Sequence, residues 1–501
     1  MSRPVQTWNF ALDLGGRAGA PLFQQISRAI ADEIRRGRLR AGVRLPGSRT
    51  LARTLLVNRN TVIAAYEELA GEGWIESSKA SGTFVSRSLP DVKPRDFAGA
   101  RSRRRQVPSA IGFDVAEPPL YVDPPSVAQP AAAQLAAASG LLSLSTGSPD
   151  VRLAPIGLLT RTYRRAMRRH SSSALEYGYP HGHPYLRGAI ATMLSSTRGL
   201  ATTADDVVVT AGSQMALELT SRALFRPGDV VVVEQIGYRP AWLAFQQHGA
   251  KVVPLPVDAE GLDIEALTRL CQRTHVRAVY VTPHHQYPTT ATLTAGRRIA
   301  LLELAKRLRF AIIEDDYDHE YHYDGRPILP LASADRAGVV VYIGTLAKVL
   351  APGVRLGYVV APRPLVDAIA AHRRIVDRQG DHTLECAVAQ MLDDGDVQRH
   401  ARRARRVYQA RRDSVVKALR ADFSDCVSFT VPAGGVAIWC ETAAGIDVDA
   451  WAQRARQKGL LINTARHYSF DGRARPYFRV CFASLTTEEM ADALRRLQAA
   501  L

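Results

Sequence analysis

The chain has 501 residues, of which 46% are hydrophobic, 23% charged and 7% aromatic. A chain of this size and make-up buries a sizeable core, which excludes the disordered and collagen-like classes. Lys and Arg number 65 against 48 Asp and Glu, a net charge of +17 that points to a polyanionic partner, nucleic acid first, and carries no information about fold.

The first elements in chain order form a small basic unit, residues 17–88. Residues 1–88 hold 13 Lys and Arg against 7 Asp and Glu, the highest charge density in the chain. Leu22, Ile26, Ile30 and Ile34 recur every four residues and predict one helix, which Gly37 can end. After the Leu45-Pro46-Gly47 turn, Ser48 is the expected N-cap of a second helix with Leu51, Ala52, Leu55 and Leu56 facing inward. Asn58 can cap a third helix carrying Val62, Tyr66 and Leu69. Trp74 to Glu76, a turn through Ser77 to Gly82, and Thr83 to Val85 then predict a hairpin.

Helix, helix, turn, helix and hairpin is a winged helix-turn-helix. Its exposed Asn58, Arg59, Asn60 and Thr61 open the third helix, where Arg suits guanine and Asn suits adenine in a major groove. Arg49 is placed for a phosphate or a base edge, and the tip at Ser81-Gly82 for a minor groove. The run from "PLFQQI" to "SGTFV" resembles the GntR family of winged-helix DNA-binding domains, with Gly47 where Ser or Ala is usual.

Residues 89–139 are rich in Pro, Ala, Ser and Arg, without a sustained period, and are expected to be a linker. They include the run Arg101 to Arg105. The body, residues 140–501, alternates apolar strands with amphipathic helices, as βαβ construction does. Strands are predicted at Val207–Thr210, Val230–Glu234, 278–282, 310–315, 339–343 and Gly357–Val360. Continuous apolar runs fit strands buried on both faces, and ligand sites in such sheets lie past the strands' carboxyl ends.

Those ends carry chemistry. Gly212, Ser213 and Gln214 open a helix, where backbone N–H groups and the helix dipole favour a phosphate. Glu314-Asp315-Asp316-Tyr317 is a carboxylate cluster that fits a metal, solvent or a buried cation. Lys348 follows a strand end and precedes Arg355 by seven residues, within "GTLAKVLAPGVRLGY". Asp, Tyr two residues on, Lys 31 residues after the Tyr and Arg at +7 together resemble the type I aminotransferase fold, which binds pyridoxal 5′-phosphate.

The resemblance implies roles. Lys348 would form the Schiff base with the cofactor's aldehyde, Asp315 would hold the pyridinium nitrogen, and Tyr317 would hydrogen-bond the ring hydroxyl. Arg355, Ser213 and Thr345 would take the phosphate. Tyr238 would stack on the ring, and Tyr177 would reach a neighbouring subunit's phosphate, which implies a homodimer. Arg479, with Arg466 as a competitor, would hold an effector carboxylate.

A GntR-like head on an aminotransferase-like body is similar to the MocR subfamily of regulators. That implies double-stranded operator DNA and a small amine, amino acid or B6 vitamer as partners, and regulation rather than net catalysis. A working aminotransferase carrying a DNA-binding head is the alternative. Three positions depart from the family pattern: Thr290 stands for Gly, Tyr287 for the Asn beside the ring hydroxyl, and Ala347 for Ser.

The five cysteines (Cys271, Cys386, Cys426, Cys440 and Cys481) are scattered, without a C-x-x-C pair. No disulfide framework and no metal centre is expected. No signal-peptide core opens the chain, and no apolar run reaches the ~20 residues that span a bilayer, so a cytoplasmic protein without a membrane partner is expected.

Overall fold

The computed structural model describes residues 12, 21–78, 82–87, 89, 141–145, 147–169, 176–325 and 328–501. Ser81 and nearly all of the expected linker lie outside them. The chain divides into two compact units, residues 1–115 and 116–501, and each is taken by itself.

The first unit consists of α1 (Leu22–Arg35), α2 (Ser48–Leu55), α3 (Arg59–Gly71), β1 (Ile75–Ser78) and β2 (Gly82–Val85). The two strands pair antiparallel with Ile75 opposite Val85. Ile26, Ile30 and Ile34 pack with Leu51, Val62, Leu69, Trp74 and Val85 in one core. Leu22 does not join this core, because the first turn of α1 leaves it exposed.

Two further expectations are corrected. The N-cap of α2 is Gly47, not Ser48; Ser48 is the first helical residue, and its hydroxyl accepts from Arg59 Nε at 3.3 Å. Leu56 does not face inward. It ends α2 at φ 55°, in the left-handed region, and the turn there leaves its side chain 93% exposed.

The second unit is built on a seven-stranded sheet. Its strands are β3 (Val207–Thr210), β4 (Val230–Glu234), β5 (Lys251–Leu255), β6 (Val276–Val281), β7 (Ala311–Asp316), β8 (Val340–Thr345) and β9 (Gly357–Val360). The order is β3-β9-β8-β7-β6-β4-β5. Only β9 runs against its neighbours; the other pairs are parallel.

Alternation along the strands divides the core. Val207, Val209 and Tyr342 pack on one side with helices Pro184–Arg198 and His382–Asp393. Val208, Val231, Tyr280 and Ile343 pack on the other with α4 (Ser213–Leu224) and α5 (Arg239–Gln247). Cover on both faces explains the unbroken valine runs. Edge strand β5 was missed in the sequence; it is half-buried and contains Pro254.

A smaller antiparallel sheet follows: β10 (Val427–Phe429), β11 (Ala437–Thr442), β12 (Asn463–Thr464) and β13 (Tyr477–Cys481), in the order β10-β11-β13-β12. Trp451, Phe478 and the long helix Asp396–Asp422 share its core. The expected fold, a winged head followed by a large mostly parallel α/β sheet and a small C-terminal α+β part, is the observed one. No helix among the described residues is long and apolar enough to cross a membrane.

Candidate functional site

The site lies at the carboxyl ends of the central strands, where the chain's charged residues meet the sheet. Asp315, near the end of β7, is 5% exposed. Its Oδ2 accepts from the Tyr280 hydroxyl at 2.8 Å, while Oδ1 is buried without a partner. Burial pushes its carboxyl up to about 7, against the lowering effect of the Tyr280 bond.

Lys348 lies in the turn after β8. Its Nζ donates to the Gly147 carbonyl at 2.7 Å. Burial, and then the nearby Arg479 cation, hold the amine below its ordinary pKa. An amine of that kind is a better nucleophile near neutral pH.

Seven residues later Arg355 takes φ 52°, a left-handed conformation that costs a side-chain-bearing residue about 1–2 kcal/mol. That turn aims its Nη2 at the Ala211 carbonyl, 2.7 Å away. Gly212 caps α4 at φ 86°, and a Cβ there would fall 2.9 Å from Arg355 Nη2. Glycine therefore lets the guanidinium pack against the N-terminus of α4, where a cation and the helix amides together suit an anion. Ser213 is the first residue of that helix. Gln214 donates through Nε2 to the Pro240 carbonyl at 3.1 Å, and its Oε1 is buried and unpaired.

Aromatic rings line the rest. Tyr287 is the hub: Tyr238, Tyr317 and Tyr468 each meet it nearly edge-on, with centroids 5.5, 6.0 and 5.6 Å away. The Tyr317 hydroxyl donates to the His285 carbonyl at 3.0 Å. Arg479, on β13, is fully buried, and its Nε and Nη1 lack partners.

The structure thus brings Asp315, Tyr317, Lys348, Arg355, Gly212, Ser213, Gln214, Tyr238 and Arg479 to one edge. Other candidates lie elsewhere or are occupied. The Thr345 hydroxyl serves its own loop, accepting from Ala347 N at 3.1 Å. Arg466 is exposed and ion-paired with Asp449 at 3.3 Å. Tyr177 is 80% exposed, under the Arg378 guanidinium at 3.9 Å.

Sequence reasoning missed Tyr280 and Gly147. Tyr280 is a lone phenol in an otherwise apolar run, which was a readable signal. Gly147 lies 201 residues from Lys348 and gave none.

In the head, Arg49, Asn58, Arg59 and Asn60 are exposed and Thr61 is half-buried. The Asn58 side chain caps α3 by accepting from Asn60 N at 2.9 Å. Gly82 opens β2 at φ 106°, and a Cβ there would lie 3.0 Å from Arg44 Nε. Arg44, an exposed cation against the wing, was not singled out in the sequence.

Residues 22–85 match the family of bacterial regulatory proteins, gntR family, and residues 139–497 match aminotransferase class I and II. The probable rhizopine catabolism regulatory protein MocR of Rhizobium meliloti is 30% identical over 489 residues, 96% of this chain and 94% of that one. The chain belongs to the MocR-like GntR regulators.

Among these regulators TauR of Rhodobacter capsulatus is 31% identical along the full length of both chains. A crystal structure of Pyrococcus horikoshii kynurenine aminotransferase with PMP superposes on this MocR-like chain with a TM-score of 0.69. It is 29% identical, over 74% of this chain and 93% of that one. The aminotransferase-like fold implies pyridoxal 5′-phosphate, and the residues here fit it. Asp315 Oδ1 is a buried orphan acceptor, Gly212 brings the Arg355 guanidinium against the N-terminus of α4, and Lys348 is a depressed amine.

Proposed function

We propose that this protein is a pyridoxal 5′-phosphate-dependent transcriptional regulator whose head binds operator DNA and whose body senses a small amine, amino acid or B6 vitamer. One observation carries the reading: a gntR-type head and a complete Lys348–Asp315–Arg355 arrangement occur in the same chain.

When bound, the cofactor supplies an aldehyde and an electron-accepting ring. Lys348, whose amine the Gly147 carbonyl orients, would meet the aldehyde. Asp315 would hold the ring nitrogen's proton with its free oxygen, while Tyr280 fixes the other. Arg355 and the amides that open α4 would take the phosphate, and Tyr317 would orient the ring hydroxyl. Arg479 receives the effector carboxylate, which would satisfy its unpaired nitrogens. Exposed Tyr177 reaches the second copy of a homodimer.

The test is DNA binding to the gene's own upstream region, with wild type and Lys348→Ala compared across amino acids and B6 vitamers. An effector-dependent change in wild type alone supports the reading. DNA affinity indifferent to every vitamer and amine sinks it.

A second reading is favoured by one observation. An aromatic-amino-acid aminotransferase of Thermococcus litoralis is 30% identical over 73% of this chain. Multiple turnovers between an amino donor and a 2-oxo acid would establish that reading.

A further inference from the structure

Past the ends of β6 and β7, next to the residues assigned above, four imidazoles gather. His284 and His285 follow β6, and His319 and His322 follow β7. His284 stacks on His319 at 4.7 Å and meets His285 at 4.3 Å, and His322 lies 5.8 Å from His284, centroid to centroid. His319 lies against a carboxylate, with its Nδ1 3.0 Å from Asp316 Oδ2 but outside hydrogen-bond geometry.

The other three are arranged differently. One ring nitrogen from each of His284, His285 and His322 lies within 4.8 Å of the other two. Both nitrogens of His284 are buried without a hydrogen-bond partner, and those of His322 are buried with only the Asp324 backbone beside them. His285 Nδ1 pairs at 2.8 Å with Asp318 Oδ1, and both side chains are buried. That carboxylate orients the ring through Nδ1 and leaves Nε2 as the nitrogen free to bind, as carboxylates do behind metal-bound imidazoles.

Plain packing explains this poorly. A buried polar atom without a partner costs about 1–3 kcal/mol, and His284 alone contributes two such atoms. A Cβ at Gly434 would lie 2.3 Å from His285 Nε2, so only glycine lets the backbone pack this closely against that ring.

We propose that His284, His285 and His322 form a site for one divalent transition-metal ion of the Zn²⁺ class. Three imidazole nitrogens select Zn²⁺, Co²⁺, Ni²⁺ or Cu²⁺ over the oxygen-seeking Mg²⁺ and Ca²⁺. With metal–nitrogen bonds of about 2.0–2.1 Å, tetrahedral ligands sit about 3.4 Å apart. Half-buried His322 must therefore turn inward by about an ångström, and a fourth position stays open for water.

The ion would tie the turn 283–287 to the segment 318–324. The first holds Tyr317 through the His285 carbonyl, and the second bonds the C-terminal part through Tyr323 N to Ala433 O at 2.8 Å and Gly435 N to Tyr321 O at 2.7 Å.

The experiment uses the full-length chain without a histidine tag, loaded with cofactor and stripped of metal by chelation. Co²⁺ is titrated and its d–d absorption read at wavelengths beyond the cofactor's bands, followed by displacement with Zn²⁺. One Co²⁺ per chain is expected, with affinity at least tenfold lower in His284→Ala and His322→Ala and unchanged in His275→Ala, whose ring is exposed. Absence of stoichiometric binding by wild type overturns the proposal. So does equal affinity in His322→Ala, or equal loss in His275→Ala. Should His284→Ala fail to fold, the His322→Ala result decides, because that residue is only half-buried.

Discussion

The Arg479 guanidinium carbon lies 4.5 Å from the centroid of the Tyr287 ring. The contact places a fully buried cation against an aromatic face, with two of its nitrogens unpaired. A desolvated cation–π contact is worth about 2 kcal/mol, which offsets part of the burial cost. Arg479→Met should therefore raise the midpoint of thermal unfolding when no amino acid is present. The same variant should keep the absorption band of the Lys348-bound cofactor and lose every amino-acid-induced change in it. A spectral response that survives in Arg479→Met would assign the carboxylate to another group.

Lys348→Ala should abolish that visible band while leaving the fold intact by circular dichroism. Asp315→Asn should weaken cofactor retention, because an amide cannot hold the pyridinium proton. A variant that retains the band without Lys348 would contradict the assignment.

Glu234, 2% exposed, supplies a pH prediction. Burial pushes its carboxyl up to about 7 from an ordinary 4.5, against hydrogen bonds from Thr282. Between those two values the folded chain holds a proton that the unfolded chain has lost. Stability should therefore fall as pH rises through this window and level off above about 7. Glu314 and Glu385 are pushed up to about 7 by burial and add to the same slope. Glu234→Gln should flatten the slope by up to about 1.4 kcal/mol per pH unit, measured by urea unfolding of cofactor-free protein. A steeper slope in the variant would refute the burial account.

Thr290 sits at φ 65°, a conformation that glycine adopts freely and a β-branched residue resists. Thr290→Gly should raise stability by about 0.5–1 kcal/mol, after allowing for glycine's greater freedom in the unfolded chain. A loss of stability would mean that the threonine side chain makes a contact worth more than the strain.

In the head, Asn58→Ala should cost about 1 kcal/mol through loss of the α3 cap. Arg59→Ala should leave melting nearly unchanged and weaken operator binding, read by footprinting. An Arg59→Ala protein with a wild-type footprint would remove Arg59 from the contact surface.

Much of this was legible in sequence for physical reasons. Val207–Thr210 and Val230–Glu234 are valine runs because both sheet faces are covered, so their bounds could be read directly. Lys251–Leu255 is an edge strand whose apolar residues are few and interrupted by Pro254, so no unbroken run marks it. Asp315, Lys348 and Arg355 stand at fixed offsets along one stretch of chain, so their order carries the signal. The Lys348–Gly147 bond and the His284–His322 approach join residues far apart in sequence, and such contacts exist only once the strands have been laid side by side. Leu56 has the periodicity of a core residue, but a turn that no propensity marks leaves it exposed.

Strand β9 runs opposite to its neighbours, so it starts at the edge where β8 finishes. The chain between Lys348 and Arg355 therefore never crosses the sheet; it turns back along one rim, and its length sets the distance between the amine and the guanidinium. Most surface loops absorb inserted residues at little cost, but one residue added between Val349 and Val354 would rotate Arg355 away from Gly212. Insertion scanning of the body should find this return among its least tolerant segments, although most of it carries no chemistry.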